Sequence, residues 1–168
     1  MNKAVFKLFV FSGRLGRYYR KGLFGFALIA LFGGSALAQT ANSSTVTNPI
    51  VAENLLAGSP PSQWQIKDAG DPTIQGFATD ISVNKGGTIY FKISTPASAY
   101  TIKIFRLGYY QGNGARLIAS VTPSAHLPQT QPAPITDPST GLIDCGNWAV
   151  SASWQVPTNA VSGVYIAR

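Results

Sequence analysis

Few side chains in this 168-residue chain can do chemistry: one Cys, one His, one Glu and five Asp. Cys145 needs a base to act as a nucleophile, and His126 is the only imidazole, 19 residues upstream in a Pro-rich stretch with nothing to orient it. A buried or orphaned thiol and a solvent-facing His are expected instead. One Cys also excludes a disulfide framework or a zinc knuckle within the chain. Asp68-Ala-Gly-Asp71 and Asp80 lack the dense alternating oxygens of a calcium loop and read as turn-stabilising carboxylates. Glu53 is the only glutamate, so a carboxylate pair for glycoside hydrolysis would have to include it or rest on two Asp, and the spacing supports neither. No catalytic residue, metal site or cofactor is expected in this chain.

The most unusual stretch is Arg106-Leu-Gly-Tyr-Tyr-Gln-Gly-Asn-Gly-Ala-Arg116. Two adjacent tyrosines, among three glycines and between two arginines, could form a ligand surface. Tyr rings stack on sugars and Arg grips carboxylates, which makes Arg106, Tyr109, Tyr110 and Arg116 the candidate ligand contacts. The same residues also suit a long inter-strand loop, with one Tyr packed inward and the arginines bonded to nearby carbonyls. Gly108, Gly112 and Gly114 lack the order of a dinucleotide fingerprint, and no helix follows them. Trp64, Trp148 and Trp154 could make a carbohydrate platform, but Trp148 and Trp154 alternate in phase with Val150, which favours core.

The elements that must hold these groups begin after a leader. Residues 1–38 carry six basic groups and no acid, whereas residues 39–168 carry seven basic and six acidic groups, a net of +1. A balanced body gives no electrostatic reason to bind nucleic acid. Residues 23–38 are uncharged and end in Ala36-Leu37-Ala38, the small-x-small pattern of signal-peptidase cleavage before Gln39. Sixteen residues are short for a bilayer span of about 20. A cleaved signal peptide over 1–38 is therefore expected, with secretion to a periplasm or cell surface. Membrane contact is expected only through the leader, as an anchor if it stays uncleaved.

Residues 39–49 read as a flexible linker, and residues 50–168 as one β-sandwich domain. All 11 prolines lie beyond residue 38, together with 11 of the 17 glycines, a spacing of turn formers that suits many short strands. Alternation predicts a strand over 77–83, a turn at Asn84-Lys85-Gly86-Gly87, and a second strand over 89–93 forming a hairpin with the first. Further strands are predicted at 100–104, 117–121, 148–155 and from 163. Phe105 and Leu107 load the other face of the third strand as well. Residues 122–144 form a long connection. Strands without intervening helices imply an all-β, immunoglobulin-like two-sheet sandwich, preceded by a signal-peptide helix. Val164–Arg168 ends in mid-strand, so the sandwich is expected to lack its last strand, to leave an open edge, and to be incomplete at its C-terminus.

Several strings taken together carry a resemblance. They are Asn48-Pro-Ile-Val-Ala-Glu-Asn-Leu-Leu56, Gly58-Ser-Pro-Pro61, Gly70-Asp-Pro72, Ile74–Gly86, Arg106-Leu-Gly-Tyr-Tyr110, Gly112-Asn-Gly-Ala-Arg116 and Gly146-Asn-Trp148. Over roughly residues 48–167 the chain resembles the leading domain of exported bacterial proteins related to the large (beta) subunit of N,N-dimethylformamidase. The resemblance implies an immunoglobulin-like first domain, followed by an amidotransferase-like α/β domain. In the amidase that later part holds a mononuclear iron site with tyrosine and glutamate ligands, none of which maps onto this chain. It also implies a second Cys near Pro134, paired with the one matching Cys145. The expected role is a non-catalytic exported module that packs against a downstream domain; the alternative is a module that binds a surface glycan.

Overall fold

The computed structural model describes residues 6–11, 48–66 and 70–168; apart from 6–11 the signal peptide expected over 1–38, with the cleavage residues Ala36, Ala38 and Gln39, lies outside them, as do residues 39–47 of the linker expected over 39–49 and Asp68, while Pro49 of that linker opens a helix. Ten strands occur in the described residues: β1 (Phe6–Phe11), β2 (Gln75–Ala78), β3 (Ser82–Asn84), β4 (Thr88–Ser94), β5 (Ile102–Leu107), β6 (Ala115–Val121), β7 (Ile135–Thr136), β8 (Ile143–Asp144), β9 (Ala152–Gln155) and β10 (Gly163–Ala167). Two short helices, α1 (Pro49–Asn54) and α2 (Pro61–Trp64), precede β2. One sheet has the order β3-β1-β10-β5-β6, a second β2-β4-β9, and β7-β8 is a small hairpin. The all-β, two-sheet sandwich expected from the alternation is what forms.

The main core lies between the two larger sheets. Ile89, Phe91 and Ile93 of β4, Ile102 and Ile104 of β5, Trp154 of β9 and Tyr165 of β10 meet there. Each comes from one face of a strand of period two, so a single sheet face supplies a continuous apolar surface. Strand β5 is buried on both faces. Phe105 joins Ala115, Ile166, Trp64 and Leu107 in a second apolar cluster, which accounts for the apolar residues loaded on the strand's other side.

The segment 48–66 supplies part of that second cluster and was not legible as helix from hydrophobic periodicity. Its signal is local: Asn48 caps α1 by accepting from the Ile50 N–H at 2.9 Å, and Pro49 stands in the first turn, where its missing N–H costs nothing. Beyond α1, Ser59 pairs with the edge of β6. Its N–H donates to the Ala115 carbonyl at 2.8 Å, and its hydroxyl accepts from the Leu117 N–H at 3.0 Å. An exposed sheet edge is thereby covered.

Three expectations are corrected. The strand expected over 77–83 breaks at Thr79–Ile81. Its first half, β2, pairs with β4, while β3 crosses to the other sheet and pairs with β1. The turn is present, with the Gly87 N–H on the Asn84 carbonyl at 2.9 Å and Gly86 at φ +78°, but β3 and β4 do not form the ladder of a hairpin. The strand expected over 148–155 is only β9. Trp148 lies outside it, half-buried against Phe77, with its indole N–H on the Pro132 carbonyl at 2.9 Å. The open edge expected at β10 is filled, because β1 runs antiparallel to it from Phe6↔Ala167 to Val10↔Gly163.

The long connection 122–144 carries the β7–β8 hairpin and a backbone bridge from Gln129 to Thr95, and a side chain ties it to the sandwich. The Gln131 carboxamide donates to the carbonyls of Ile93 (3.0 Å) and Ala149 (2.9 Å) and accepts from the Ala149 N–H at 2.9 Å, so it acts as a rung between β4 and the approach to β9. Gln131→Ala is expected to cost about 2 kcal/mol, since it strips the Ala149 N–H and carbonyl of this partner, while the Ile93 carbonyl keeps the Ser151 hydroxyl at 3.1 Å. Urea denaturation measures this, and proteolysis within 122–144 should accelerate in parallel.

Candidate functional site

Arg106 on β5 and Arg116 on β6 stand directly opposite one another in the ladder. Like charges in that position repel, so something must sit between them. Glu53 of α1 does. Its Oε1 accepts from the Arg116 Nε at 2.9 Å and Nη2 at 2.5 Å, and from the Tyr110 hydroxyl at 3.0 Å. The Tyr110 hydroxyl in turn accepts from Arg106 Nη1 at 2.9 Å. Both guanidinium carbons lie 5.9 Å from the Tyr110 ring centroid, within cation–π range. Arg106 completes its bonding on backbone, with Nη2 on the Ser162 carbonyl at 2.9 Å. Glu53, Arg106 and Tyr110 are buried, and Arg116 keeps partial solvent access.

The loop that delivers Tyr110 is strained. Tyr110 and Gln111 both have positive φ, 44° and 56°. Non-glycine residues take that region at a cost of about 1–3 kcal/mol each. The turn is closed by the Gly112 N–H on the Tyr109 carbonyl at 2.9 Å and the Asn113 N–H on the Tyr110 carbonyl at 3.1 Å. Asn54 at the end of α1 accepts the Tyr109 N–H at 2.8 Å, and the Gln111 carboxamide donates to the Leu55 carbonyl at 3.1 Å. The Trp64 indole N–H reaches the Asn113 carbonyl at 3.0 Å, and its ring packs where a Gly114 side chain would project.

The four candidate ligand contacts therefore divide. Arg106, Tyr110 and Arg116 converge on Glu53 and direct their polar groups into the protein. Tyr109 is 68% exposed and points away from that cluster's burial. Glu53, which the sequence offers only as one half of a carboxylate pair, is the acceptor on which they meet. Beside it, α1 and the two residues after it leave Ile50, Val51, Leu55 and Leu56 exposed, and Asn54 at the end of α1 holds the Tyr109 backbone. Elsewhere, Cys145 is half-buried and His126 exposed. Asp71 holds a turn by accepting the Thr73 N–H (2.9 Å) and hydroxyl (2.7 Å), and those bonds lower its carboxyl from the usual range. Among the described residues no three His, Cys, Asp or Glu come together as metal ligands.

Electrostatics follow burial. Desolvation raises the Tyr110 phenol, and the bond from Arg106 only partly opposes it. Burial works against the charge of Arg116, but the bond and charge of Glu53 outweigh it and raise its pKa. Burial pushes Tyr165, which donates to the Val161 carbonyl at 2.6 Å, up to about 12. A phenol raised above its unfolded value of about 10 favours the fold while it is neutral. That contribution is fully present below pH 10 and is lost as pH rises through 12. The melting temperature should hold to about pH 9 and fall between pH 10 and 12, and Tyr165→Phe should flatten that fall.

An iron site of tyrosine and glutamate ligands does not fit here. The Tyr110–Glu53 pair is flanked by two guanidinium groups, which supply the positive charge a cation would otherwise bring. The implied Cys pairing does fit the backbone. The ladder Ile135↔Asp144, extended by one step, puts Pro134 beside Cys145. Pro134→Cys is expected to close a disulfide with Cys145 and to stabilise the chain by about 2–3 kcal/mol. Thiol titration before and after reduction, with melting curves in both states, checks it.

No curated protein and no solved structure matches the chain. Among the described residues no helix is long and apolar enough to cross a membrane. Residues 101–168, from β5 and the Tyr110 loop through β10, match the family model described as "N,N-dimethylformamidase beta subunit-like, C-terminal". Over that span the chain resembles the beta subunit of N,N-dimethylformamidase.

Proposed function

We propose that this chain is a non-catalytic, exported β-sandwich module, the front part of an N,N-dimethylformamidase-like protein whose catalytic region lies outside these 168 residues. The observation that carries this reading is the Glu53–Arg106–Tyr110–Arg116 cluster. These are the chemistry-bearing side chains that converge, and they spend their polar atoms on one another. Bonds of this kind fix the geometry of the four side chains, as a structural network does. What the cluster does is clamp α1 onto the β5–β6 edge. That holds the exposed Ile50, Val51, Leu55 and Leu56 beside Tyr109 as a fixed apolar face, of the kind a neighbouring domain covers. Ala36-Leu37-Ala38 supports export.

Incubating the purified chain with formamide and N,N-dimethylformamide tests the non-catalytic part. No release of formate or amine is expected, and turnover by this chain alone overturns the reading. Sequencing the N-terminus of the protein secreted by a bacterial host tests export, with Gln39 expected as the first residue. The exposure of Tyr109 favours one second reading, a surface-glycan binding module. A glycan array would then give binding that Tyr109→Ala abolishes without changing the melting temperature.

A further inference from the structure

Strand β1 is an interior strand of the larger sheet. On one side it runs antiparallel to β10, and on the other it runs parallel to β3, from Phe9↔Ser82 to Phe11↔Asn84. Strands β3 and β10 do not pair with each other. They are held one strand's width to either side of β1, about 10 Å apart by the usual strand spacing.

The two walls of this position are held in different ways. Strand β10 pairs with β5 at Tyr165↔Arg106, Ile166↔Phe105 and Ala167↔Ile104. Beyond the strand, Arg168 exchanges both backbone bonds with Lys103, at 2.7 and 2.9 Å. Strand β3 is tied to the other sheet by the turn that follows it, where the Gly86 N–H donates to the Val156 carbonyl at 2.9 Å. Strand β10 therefore keeps a ladder on its far side without β1, whereas β3, whose ladder partner is β1 alone, is held by this turn.

The chain's own use of residues 6–11 is exclusive. They lie within the basic stretch ahead of the apolar run 23–38, and cleavage before Gln39 would remove them. While that run is inserted in a membrane, the basic stretch stays on the cytoplasmic side. A sandwich on the far side could not reach it.

We propose that the position between β3 and β10 is a strand-acceptor site. The chain's own Phe6–Phe11 fills it here. Once that segment is withdrawn, it takes an extended apolar strand of another polypeptide, six residues long and antiparallel to β10. The backbone of such a strand would satisfy two rows of ladder groups at once, the mode of recognition known as β-augmentation. The natural trigger rests on the leader reading given above, but the site does not, and its test involves no export.

The test uses the full chain. In Leu8→Pro/Val10→Pro, two prolines remove ladder donors from an interior strand and should expel it. A fluorescein-labelled peptide with the sequence of residues 5–12 is then titrated against both proteins. The wild type, with its site filled, should bind the peptide at least tenfold more weakly than the proline variant. Equal binding by both, or no binding by a variant whose circular dichroism remains that of the wild type, overturns the proposal. If the proline variant unfolds, a cross-link decides. Phe9→Cys/Val164→Cys, in a Cys145→Ser background, joins positions opposite each other in the ladder. An intrachain disulfide under mild oxidation supports the site. No disulfide, or a disulfide-linked dimer, which would mean exchange between copies, overturns it.

Discussion

Replacing Glu53 with Ala is expected to lower the stability of the folded chain by about 3 kcal/mol. The carboxylate accepts three hydrogen bonds, from Arg116 twice and from Tyr110. Without it, two guanidinium groups face each other across the β5–β6 ladder, and the buried Tyr110 hydroxyl loses its acceptor. Arg116 retains 31% side-chain exposure, so water recovers part of its solvation and the loss falls at the low end for a broken buried pair. Glu53→Gln keeps the shape and one acceptor, and should cost about 1–2 kcal/mol. The measurement is the urea midpoint at unchanged slope. Because α1 is held through this contact, cleavage by a protease within 48–66 should accelerate in the Ala variant. A double replacement that also makes Arg116→Met should recover part of the loss, since it removes the stranded charge. Stability unchanged to within 0.5 kcal/mol, the usual scale of a neutral surface change, would mean that the clamp does not hold the edge together.

The second large effect comes from a residue with no side chain. Gly58 lies where the wrap after α1 passes under the Tyr110 turn. A Cβ added there would stand 2.5 Å from the Asn113 Cβ, 2.8 Å from the Tyr110 Cβ and 2.9 Å from the Tyr110 carbonyl oxygen. None of these is the end of a flexible side chain, so no rotamer change relieves the overlap. The turn cannot yield cheaply either, because Tyr110 and Gln111 already sit at positive φ. Gly58→Ala should therefore cost about 3 kcal/mol or more, the upper range for overpacking. It should also weaken the Ser59 bonds that cover the β6 edge. Gly112→Ala is the matched control. It meets nothing within 4 Å but has φ +86°, so strain alone should cost it about 1 kcal/mol. Thermal melts of the two variants should rank in that order; the reverse ranking would show that the wrap moves freely over the turn.

Both effects fall on the region that reading the residues in order treated least securely. The Arg106–Arg116 string stood out by composition, and its two readings, ligand surface or inter-strand loop, divide it as written. Tyr109 faces out and Tyr110 faces in. Which Tyr would do which was not legible, because adjacent residues in a turn have no period to sort them. The acceptor that decides the matter, Glu53, lies 57 residues before Tyr110 and 63 before Arg116. Its own neighbours, Ala52 and Asn54, say nothing of arginine. The α1 cap at Asn48-Pro49 is a local signal, since an Asn followed by Pro can open a helix as well as a turn.

Alternation of apolar and polar residues was enough to specify an all-β chain, and to locate β4, β5, β6 and β10 to within a few residues. Side-chain direction in a strand is a local property of period two. Pairing is not local. That β3 leaves β2's sheet, that β1 comes between β3 and β10, and that three charged or phenolic groups from β5, β6 and a strained turn close over one carboxylate all depend on which backbone edges meet in space. Those choices are settled by burying the most apolar surface with the fewest unpaired backbone groups, a sum over the whole chain that no single stretch of residues carries.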